Sequence, residues 1–323
     1  MPIMHMQRAL TGLVILTLTL VACGDGDDAR PVTDGATVDT ADNPYAPEAP
    51  NTVHREVREL ADGVYTYEYA RPEDPVTTVS MFVVTEDGVL VADGQGNVEE
   101  SERLLDEIAR VTDQPVTHLV IASEHGDHTG GNLAFSDSVE VYAHPLAAAA
   151  LASESAGEEW LEPDHLVENL ERLELGERVI EIRFLGRGHT AGALVVHLPE
   201  EGILFMSEAH LDRVFPLMRA AYPSEWVEVL LTAEAMDADT YVAGHGIRGS
   251  IDYSPEGLVR YRQAVEQVIA EVRRLRESGV DLDTAIEQAN FGALSQQADY
   301  VYQVERAVRR VWAELAGELD AAP

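Results

Sequence analysis

Lysine is absent from this chain, and acidic side chains far outnumber the basic ones that remain. The 22 basic residues are all arginine and face 58 aspartates and glutamates, which gives a formal net charge of −36. A surface this acidic repels the phosphates of nucleic acids and of anionic lipid headgroups. The composition therefore excludes a protein that binds nucleic acid through a basic groove. We interpret the acidic surface as a means of keeping the protein hydrated and soluble.

Cysteine is almost absent as well, and the apolar run near the N-terminus is too short to cross a membrane. Cys23 is the only cysteine, so no disulfide can form within the chain. Ala9–Leu20 is an apolar run of about a dozen residues that follows the positively charged Arg8, whereas a transmembrane helix needs ~20. A positive charge before a short apolar run is typical of a secretory signal peptide, which we predict for residues 1–22.

The residues that close this segment, Leu20-Val21-Ala22-Cys23, resemble the lipobox of bacterial lipoproteins. The resemblance implies that Cys23 is lipidated, becomes the mature N-terminus and anchors an exported protein to the cell envelope. Gly24 rather than aspartate follows the cysteine, which by the same analogy favours the outer membrane, facing the periplasm. The alternative is an ordinary signal peptide that happens to contain a cysteine.

The rest of the chain divides into a linker, a folded region and a helical end. Residues 23–50 are rich in Asp, Ala, Pro, Gly and Thr and lack apolar periodicity, which predicts a disordered acidic tether that starts at the cysteine. Residues 51–250 alternate strand-like and helix-like patterns, which predicts an α/β domain. Residues 251–323 are predicted to be a C-terminal helical extension of the same domain.

The predicted strands are short apolar runs bounded by turn residues. They are Val64–Tyr69, Thr78–Val84, Val89–Ala92, Val116–Ala122, Val139–Ala143, Val179–Leu185, Ala193–Leu198, Gly202–Met206 and Thr240–Ala243. The predicted helices are longer stretches, several of them with apolar residues at helical spacing on one face. They are Val98–Arg110, His144–Ala156, Ser224–Met236, Pro255–Ser278, Leu282–Asn290 and Gln297–Leu319.

Side chains that bind metal ions follow several of the predicted strands. His125, Asp127 and His128 lie within four residues just after Val116–Ala122. Strand ends at one edge of a sheet converge on a common rim, so ligands from different strands can meet in space. Imidazole nitrogen and carboxylate oxygen are ligands that Zn²⁺ accepts, so the pattern predicts a metal centre. Three more candidate ligands follow later strands, namely His189, Glu208 and His245.

The order and spacing of these motifs resemble the metallo-β-lactamase superfamily, whose defining run is His-x-His-x-Asp-His. Here the run occupies Ser123–His128, and Gly-His-Thr at 188–190 and Gly-His-Gly at 244–246 follow in the same order. The similarity extends from about Val53 to His245. It implies an α/β fold of the metallo-β-lactamase type, a four-layer αββα sandwich, with the C-terminal helical extension as an appendix.

The same resemblance implies two metal sites, of which the second is intact. Its ligands map onto Asp127, His128 and His245, all of which are present. We therefore expect one or two Zn²⁺ ions, with this second site favoured. Asp127 is also the expected catalytic residue, because it could orient a water molecule or accept its proton.

The first metal site departs from the family's pattern. It maps onto His125, His189 and the position of Ser123, whose hydroxyl would be a weak metal ligand or would position water. The bridging carboxylate is an aspartate in many hydrolase members and is Glu208 here, one methylene longer. We therefore expect weaker binding of metal at this site.

The implied activity is hydrolysis of a small ester, lactone, thioester or amide by a hydroxide formed from metal-bound water. Because the chain has no lysine to bind a substrate carboxylate, Arg213 or Arg219 would have to serve. Two alternatives stay open: a β-lactamase proper, and a degenerate binding or relay protein that lost turnover through the substitution at Ser123. Glu124 and His210 could each add a ligand. The sequence gives no indication of the oligomeric state.

Overall fold

The computed structural model of the chain describes residues 51–155 and 159–319. The predicted signal peptide over residues 1–22, the lipidation site Cys23 and the predicted linker over residues 23–50 lie outside the described residues. None of the helices within the described ranges is both long and apolar enough to span a membrane.

Within these ranges the chain forms twelve strands and seven α-helices. The strands are β1 (His54–Ala61), β2 (Val64–Ala70), β3 (Val76–Thr85), β4 (Gly88–Ala92), β5 (Val116–Ile121), β6 (Glu140–Ala143), β7 (His165–Leu166), β8 (Leu170–Leu175), β9 (Arg178–Arg183), β10 (Val195–Leu198), β11 (Ile203–Asp212) and β12 (Thr240–Ile247). The helices are α1 (Val98–Val111), α2 (Gly126–Thr129), α3 (Pro145–Glu154), α4 (Pro223–Glu234), α5 (Pro255–Glu277), α6 (Leu282–Gln288) and α7 (Tyr300–Ala316). Short 3-10 turns occupy Asn132–Ala134 and Gly292–Gln296.

The strands form one mixed sheet in the order β7-β6-β5-β4-β3-β12-β11-β10-β9-β8, with β2 pairing β3 and β1 pairing β2 off this path. Strands β4 to β7 pair in parallel, and so do β11 and β12. The antiparallel pair β3 and β12 joins the two halves of the sheet. Parallel pairing places the ends of β4, β5 and β6 at the same edge.

The alternation of side chains along the strands shows that the two halves face each other. On β3, Met81 joins an inner core that also contains Phe205 of β11, whereas Phe82 packs outward with Leu104 of α1. On β11, the neighbour Leu204 packs outward against a core that includes Trp226 of α4. Successive side chains of a strand point to opposite faces of the sheet. The inner face of each half of the sheet therefore packs against the other half, and its outer face packs against helices. The predicted four-layer αββα sandwich is confirmed.

The C-terminal helices pack on the outer face of the second half of the sheet. Val265 and Val268 of α5 share one core with Val308 and Val311 of α7. The helix α5 begins after Ser254, whose side chain accepts a hydrogen bond from the backbone N–H of Gly257 and caps the helix. This extension therefore buries a substantial part of its surface against the α/β core.

Two predicted strand ends were wrong, and three strands were missed, the two-residue β7 among them. The segments Gly202–Met206 and Thr240–Ala243 continue as β11 and β12 to Asp212 and Ile247. The pairing of these strands breaks after Ser207 and resumes at Leu211, so a bulge interrupts the ladder without ending it. Strands β1 and β8 were missed because they lie at sheet borders, where charged residues alternate with apolar ones and half of the surface is wet.

Helix ends also differ from the prediction. His144 precedes α3 as its cap, since its side chain accepts a hydrogen bond from the backbone N–H of Leu146 and Pro145 occupies the first turn. The last helix begins at Tyr300 and ends at Ala316, where Gly317 adopts a positive φ of 73°. Glycine adopts the left-handed backbone conformation with little strain, so a helix commonly ends at a glycine in this position.

Candidate metal centre

The motif after β5 forms a tight turn at the rim of the sheet. His125 precedes the short helix α2, which carries Asp127 and His128. Glycine is required two residues after α2, because a Cβ on Gly131 would lie 2.1 Å from the Ser101 hydroxyl oxygen and 2.3 Å from the Asn97 carbonyl oxygen. The backbone of the motif therefore packs closely against the start of α1.

The structure brings all six predicted metal ligands together. One group comprises Asp127, His128, Glu208 and His245, and the second comprises His125, His189 and Glu208. Within each group the candidate ligand atoms lie within 4.8 Å of one another. Glu208 is therefore shared between the groups, in the place of a bridging carboxylate.

Acceptor oxygens on the far side of two rings indicate which nitrogen faces the centre. Nδ1 of His245 donates to the Thr77 carbonyl oxygen at 2.6 Å, and Nδ1 of His128 lies 3.0 Å from Oδ2 of Asp93. An acceptor at Nδ1 favours a proton on that nitrogen and leaves Nε2 as the atom that can bind a metal ion. The two Nε2 atoms lie 3.2 Å apart.

This arrangement fits a cation. Two lone pairs directed at each other over 3.2 Å repel unless a positive charge lies between them. Ligands bound tetrahedrally to zinc at about 2.1 Å are separated by roughly 3.4 Å. Oδ2 of Asp127 and Oε1 of Glu208 lie 3.2 and 3.3 Å from Nε2 of His245, which is the same spacing. The donor set therefore suits a divalent metal ion.

The second group is equally close but lacks one ligand. Nδ1 of His125 lies 2.7 Å from Oε2 of Glu208, and Nε2 of His189 lies 3.2 Å from Oε1. Ser123 does not stand free as a ligand, because its hydroxyl donates a hydrogen bond to Oε2 of Glu208. The serine thus holds the shared carboxylate instead of adding a donor atom of its own.

The electrostatics of the cluster favour positive charge. Glu208 is almost fully buried, and burial alone would raise its pKa, but the neighbouring His125 and His189 rings outweigh burial and hold the pKa well below its usual range. Burial lowers the pKa of His125, but the charge of Glu208 outweighs this and raises it to about 9. Burial also lowers the pKa of His189, which keeps that ring neutral. Metals bind ionised carboxylate and neutral imidazole, so Glu208 and His189 are already in the binding form, whereas a metal ion must displace a proton from His125.

The bulge in β11 places Glu208 in the cluster. Gly244 of the neighbouring strand has no room for a side chain, because a Cβ there would lie 2.4 Å from the Ser207 carbonyl carbon. Nε1–H of Trp226 donates to the Ala209 carbonyl oxygen at 2.9 Å and holds the middle of the bulge. His210 is turned away from the metal centre, with its ring 5.6 Å from that of Tyr261 on α5. The bulge therefore directs the side chains of Glu208 and His210 to different sides of the sheet.

The remaining candidate residues lie outside both ligand groups. Glu124 accepts a hydrogen bond from the Thr190 hydroxyl at 2.9 Å. Arg213 contacts Asp212 at 2.9 Å and also donates to Ser250. Arg219 is exposed on the loop before α4. A role of either arginine in binding substrate stays a prediction.

Asp93 contacts the metal centre and was missed by the sequence reasoning. Its Oδ1 accepts hydrogen bonds from the backbone N–H groups of Ala122 and Ser123, at 2.7 and 3.1 Å. Its Oδ2 accepts a hydrogen bond from the Ser207 hydroxyl at 2.5 Å and faces His128. A signal was present, because an aspartate directly after a buried strand, at the same rim as the motif, is well placed to serve the site.

These features define a metalloprotein with a face-to-face α/β sandwich whose ligands gather at one rim of the sheet. The sequence model described as the Metallo-beta-lactamase superfamily matches residues 74–245. This chain belongs to that superfamily. The membership, together with the ligand groups, indicates a metal-dependent hydrolase.

Similar proteins agree with this assignment. The metallo-beta-lactamase type 2 of Bacillus sp. (strain 170) is 26% identical over 179 residues, which cover 54% of this chain and 68% of that protein. The metallo-beta-lactamase type 2 of Elizabethkingia meningoseptica is 21% identical over 211 residues, which cover 63% of this chain and 82% of that protein. Among solved structures, the metallo-beta-lactamase from Pontibacter korlensis matches with a TM-score of 0.58 and 23% identity, over 66% of this chain and 99% of the other. That structural likeness supports the fold alone.

Proposed function

We propose that this protein is a zinc-dependent hydrolase that cleaves a small ester, lactone, thioester or amide. The observation that carries the proposal is the pair of ligand groups that share the buried Glu208. A binding site for one structural ion would not need a second group of histidines around the same carboxylate. Two adjoining groups of this kind, one of them with an exposed carboxylate at its edge, are suited to chemistry on a bound substrate.

Zinc is the metal that this set of ligands favours. The groups combine imidazole nitrogen with carboxylate oxygen and contain no thiolate. Such mixed sets suit zinc, whereas calcium and magnesium prefer oxygen alone. A zinc ion bound there would polarise a substrate carbonyl and lower the pKa of water.

The residues of the chain supply orientation and a proton acceptor. Asp127 lies at the edge of the cluster with its side chain about half exposed, whereas His128 is fully buried. An ionised carboxylate in that position can accept a proton from an attacking water molecule. The buried rings of His128 and His189 close the inner side of the site, so a substrate would approach from the side of Asp127.

The proposal is tested by metal content and hydrolysis with the same preparation. We expect the purified protein to contain at least one zinc ion and to hydrolyse at least one member of a panel of a chromogenic cephalosporin, a lactone and a thioester. Chelation should abolish the activity and zinc should restore it. A protein that binds no metal and turns over none of these substrates would contradict the proposal. Because the curated relatives are named as β-lactamases, the cephalosporin also tests the narrower alternative.

The hydrogen bond of Ser123 favours a second candidate, a binding or relay protein without turnover. Because Ser123 donates to Glu208 and supplies no strong ligand, the group around His125 and His189 has only three good donors.

We expect Ser123→His to raise the zinc content from about one to about two ions per chain, because a third imidazole completes the group. Elemental analysis measures the content, with Ser136→His on the exposed surface as the matched control. Unchanged zinc content in Ser123→His would show that the serine does not limit the first site.

We also propose that the protein is exported and held at the cell envelope by lipidated Cys23, because Leu20-Val21-Ala22-Cys23 resembles a lipobox. We expect Cys23→Ser to move the protein from the membrane fraction to the soluble fraction, since the acyl chains that supply the anchor are carried by this residue. Fractionation of cells with an antibody against the folded domain measures the change. Thr33→Ser, a conservative change ten residues further along the same segment, serves as the control and should leave the distribution unchanged. Membrane association that survives Cys23→Ser would overturn the anchor.

A further inference from the structure

We propose that a cavity beside α5, separate from the metal centre, binds a small carboxylate with a short apolar body. The cavity has a volume of about 220 Å³ and lies between the end of β11, the first turns of α5 and the 3-10 turn Gly292–Gln296. An apolar cavity of about 150 Å³ suffices for one benzene ring. The space therefore fits one ring or a short chain with a polar head.

Buried polar groups without partners concentrate at this cavity. Twelve buried side-chain atoms in the described part of the chain have no hydrogen-bond partner, and four of them belong to His210, Tyr261 and Gln297. Tyr261 and Gln297 line the cavity, and the ring of His210 lies 5.6 Å from that of Tyr261. Tyr261 is 4% exposed and His210 is fully buried. Buried polar groups are rarely left unpaired, so their concentration here points to a ligand that pairs with them.

The chemistry of the lining selects a carboxylate. The Tyr261 hydroxyl is a hydrogen-bond donor, and the guanidinium groups of Arg213 and Arg260 lie at the same cavity. The unpaired atom of Gln297 is Oε1, an acceptor, so the side-chain amide must turn by 180° before its NH₂ group can donate to the ligand. The two nearby carboxylates are already neutralised, since Asp212 contacts Arg213 at 2.9 Å and Asp252 contacts Arg260. Each guanidinium carries five N–H donors, which is more than one carboxylate uses. The mouth therefore offers donors to an anion without adding negative charge.

Apolar residues line the part of the cavity that would hold the apolar body of the ligand. Leu211, Leu294 and Ala293 line the cavity, and Leu211 is fully buried in the core under the helices. Because Leu211 pairs with His245 in the sheet, the cavity lies on the helical side of the strand pair that carries the metal ligands. A molecule bound here would contact the end of the bulge that also holds Glu208, and none of the six metal ligands lines the cavity.

The probe is phenylacetate, with 2-phenylethanol as its uncharged analogue, and binding is measured by isothermal titration calorimetry on the purified zinc-loaded protein. We expect saturable binding of phenylacetate and much weaker binding of 2-phenylethanol. Tyr261→Phe, which removes only the hydroxyl, should weaken binding roughly 3- to 10-fold. Ala293→Phe, at the exposed side of the cavity, should abolish it by filling the space. Tyr302→Phe on an exposed face of α7 is the matched control and should bind like the original chain.

A second variant separates this cavity from the metal centre, where a carboxylate could also bind. Asp127→Ala should lose metal but keep the binding of phenylacetate. Binding that disappears in Asp127→Ala, or that ignores both Tyr261→Phe and Ala293→Phe, would place the carboxylate at the metal centre and overturn the proposal. No binding of phenylacetate would also overturn the proposal, because water alone would then pair with the buried groups. Equal binding of 2-phenylethanol would overturn the selection of a carboxylate.

Discussion

Replacing Asp127 with alanine is expected to remove metal from the group formed with His128 and His245 and to lower kcat/KM by roughly 10²–10⁴-fold. Oδ2 of Asp127 lies 3.2 Å from Nε2 of His245 and 3.8 Å from Nε2 of His128, so its loss takes one ligand from that group. The same substitution removes the proposed proton acceptor. Both effects act on the proposed reaction, which makes this the largest expected loss from a single exposed side chain.

The stability of the metal-free protein should hardly change in Asp127→Ala. The carboxylate is about half exposed, so its removal leaves no cavity and no buried donor unpaired. Thermal unfolding in the presence of a chelator tests this point, and zinc titration with a chromogenic competitor tests the affinity. Asp137→Ala, on an exposed loop after the motif, is the matched control and should keep both metal and activity. Full activity of Asp127→Ala would show that the chemistry does not pass through this group.

The ligands of the metal centre could be predicted from the sequence because their identity depends on short-range patterns. His125, Asp127 and His128 follow a buried strand within one turn, and His189 lies in a loop between two predicted strands. Strand ends that share one edge of a sheet bring such residues together whatever the connecting loops do. The spacing of the motifs was therefore sufficient to predict the cluster, and the αββα layers followed from the family resemblance.

The surroundings of the ligands depended on long-range packing and could not be predicted in the same way. Glu208 was expected to follow a strand, but it lies within β11, at a bulge that packs closely against Gly244 of β12. Ser123 was expected to be a weak ligand or to position water, whereas its hydroxyl binds the Glu208 carboxylate. Such pairings join residues that are far apart along the chain, and no local pattern of residue types encodes them.

Asp93 has the second-largest expected effect, because it controls which nitrogen of His128 carries the proton. The carboxylate accepts at both oxygens, from the backbone N–H groups of Ala122 and Ser123 on one side and from the Ser207 hydroxyl on the other. Its Oδ2 also faces Nδ1 of His128 at 3.0 Å. An acceptor in that place keeps the proton on Nδ1 and leaves Nε2 free to bind metal.

Asp93→Asn is therefore expected to lower the affinity for zinc by roughly 10- to 100-fold while the fold persists. The asparagine carbonyl can keep the two backbone hydrogen bonds, but its NH₂ group then points at Nδ1 of His128. That nitrogen must become an acceptor, so the proton moves to Nε2 and removes the lone pair that would bind the metal. Zinc titration measures the affinity, and ¹⁵N NMR of the histidine rings reports the tautomer directly. An unchanged tautomer of His128 in Asp93→Asn would contradict this role.

Asp93→Ala separates the effect on His128 from the effect on the fold. With no acceptor present, the N–H groups of Ala122 and Ser123 are left buried without partners, and we expect the free energy of unfolding to fall by about 3–5 kcal/mol. Urea unfolding of the metal-free forms should place Asp93→Asn near the original chain and Asp93→Ala far below it. If both variants lose metal but only the alanine variant loses stability, the carboxylate acts on the metal centre through the proton on His128. If the two lose stability equally, the lower zinc affinity of Asp93→Asn is a consequence of a weakened fold.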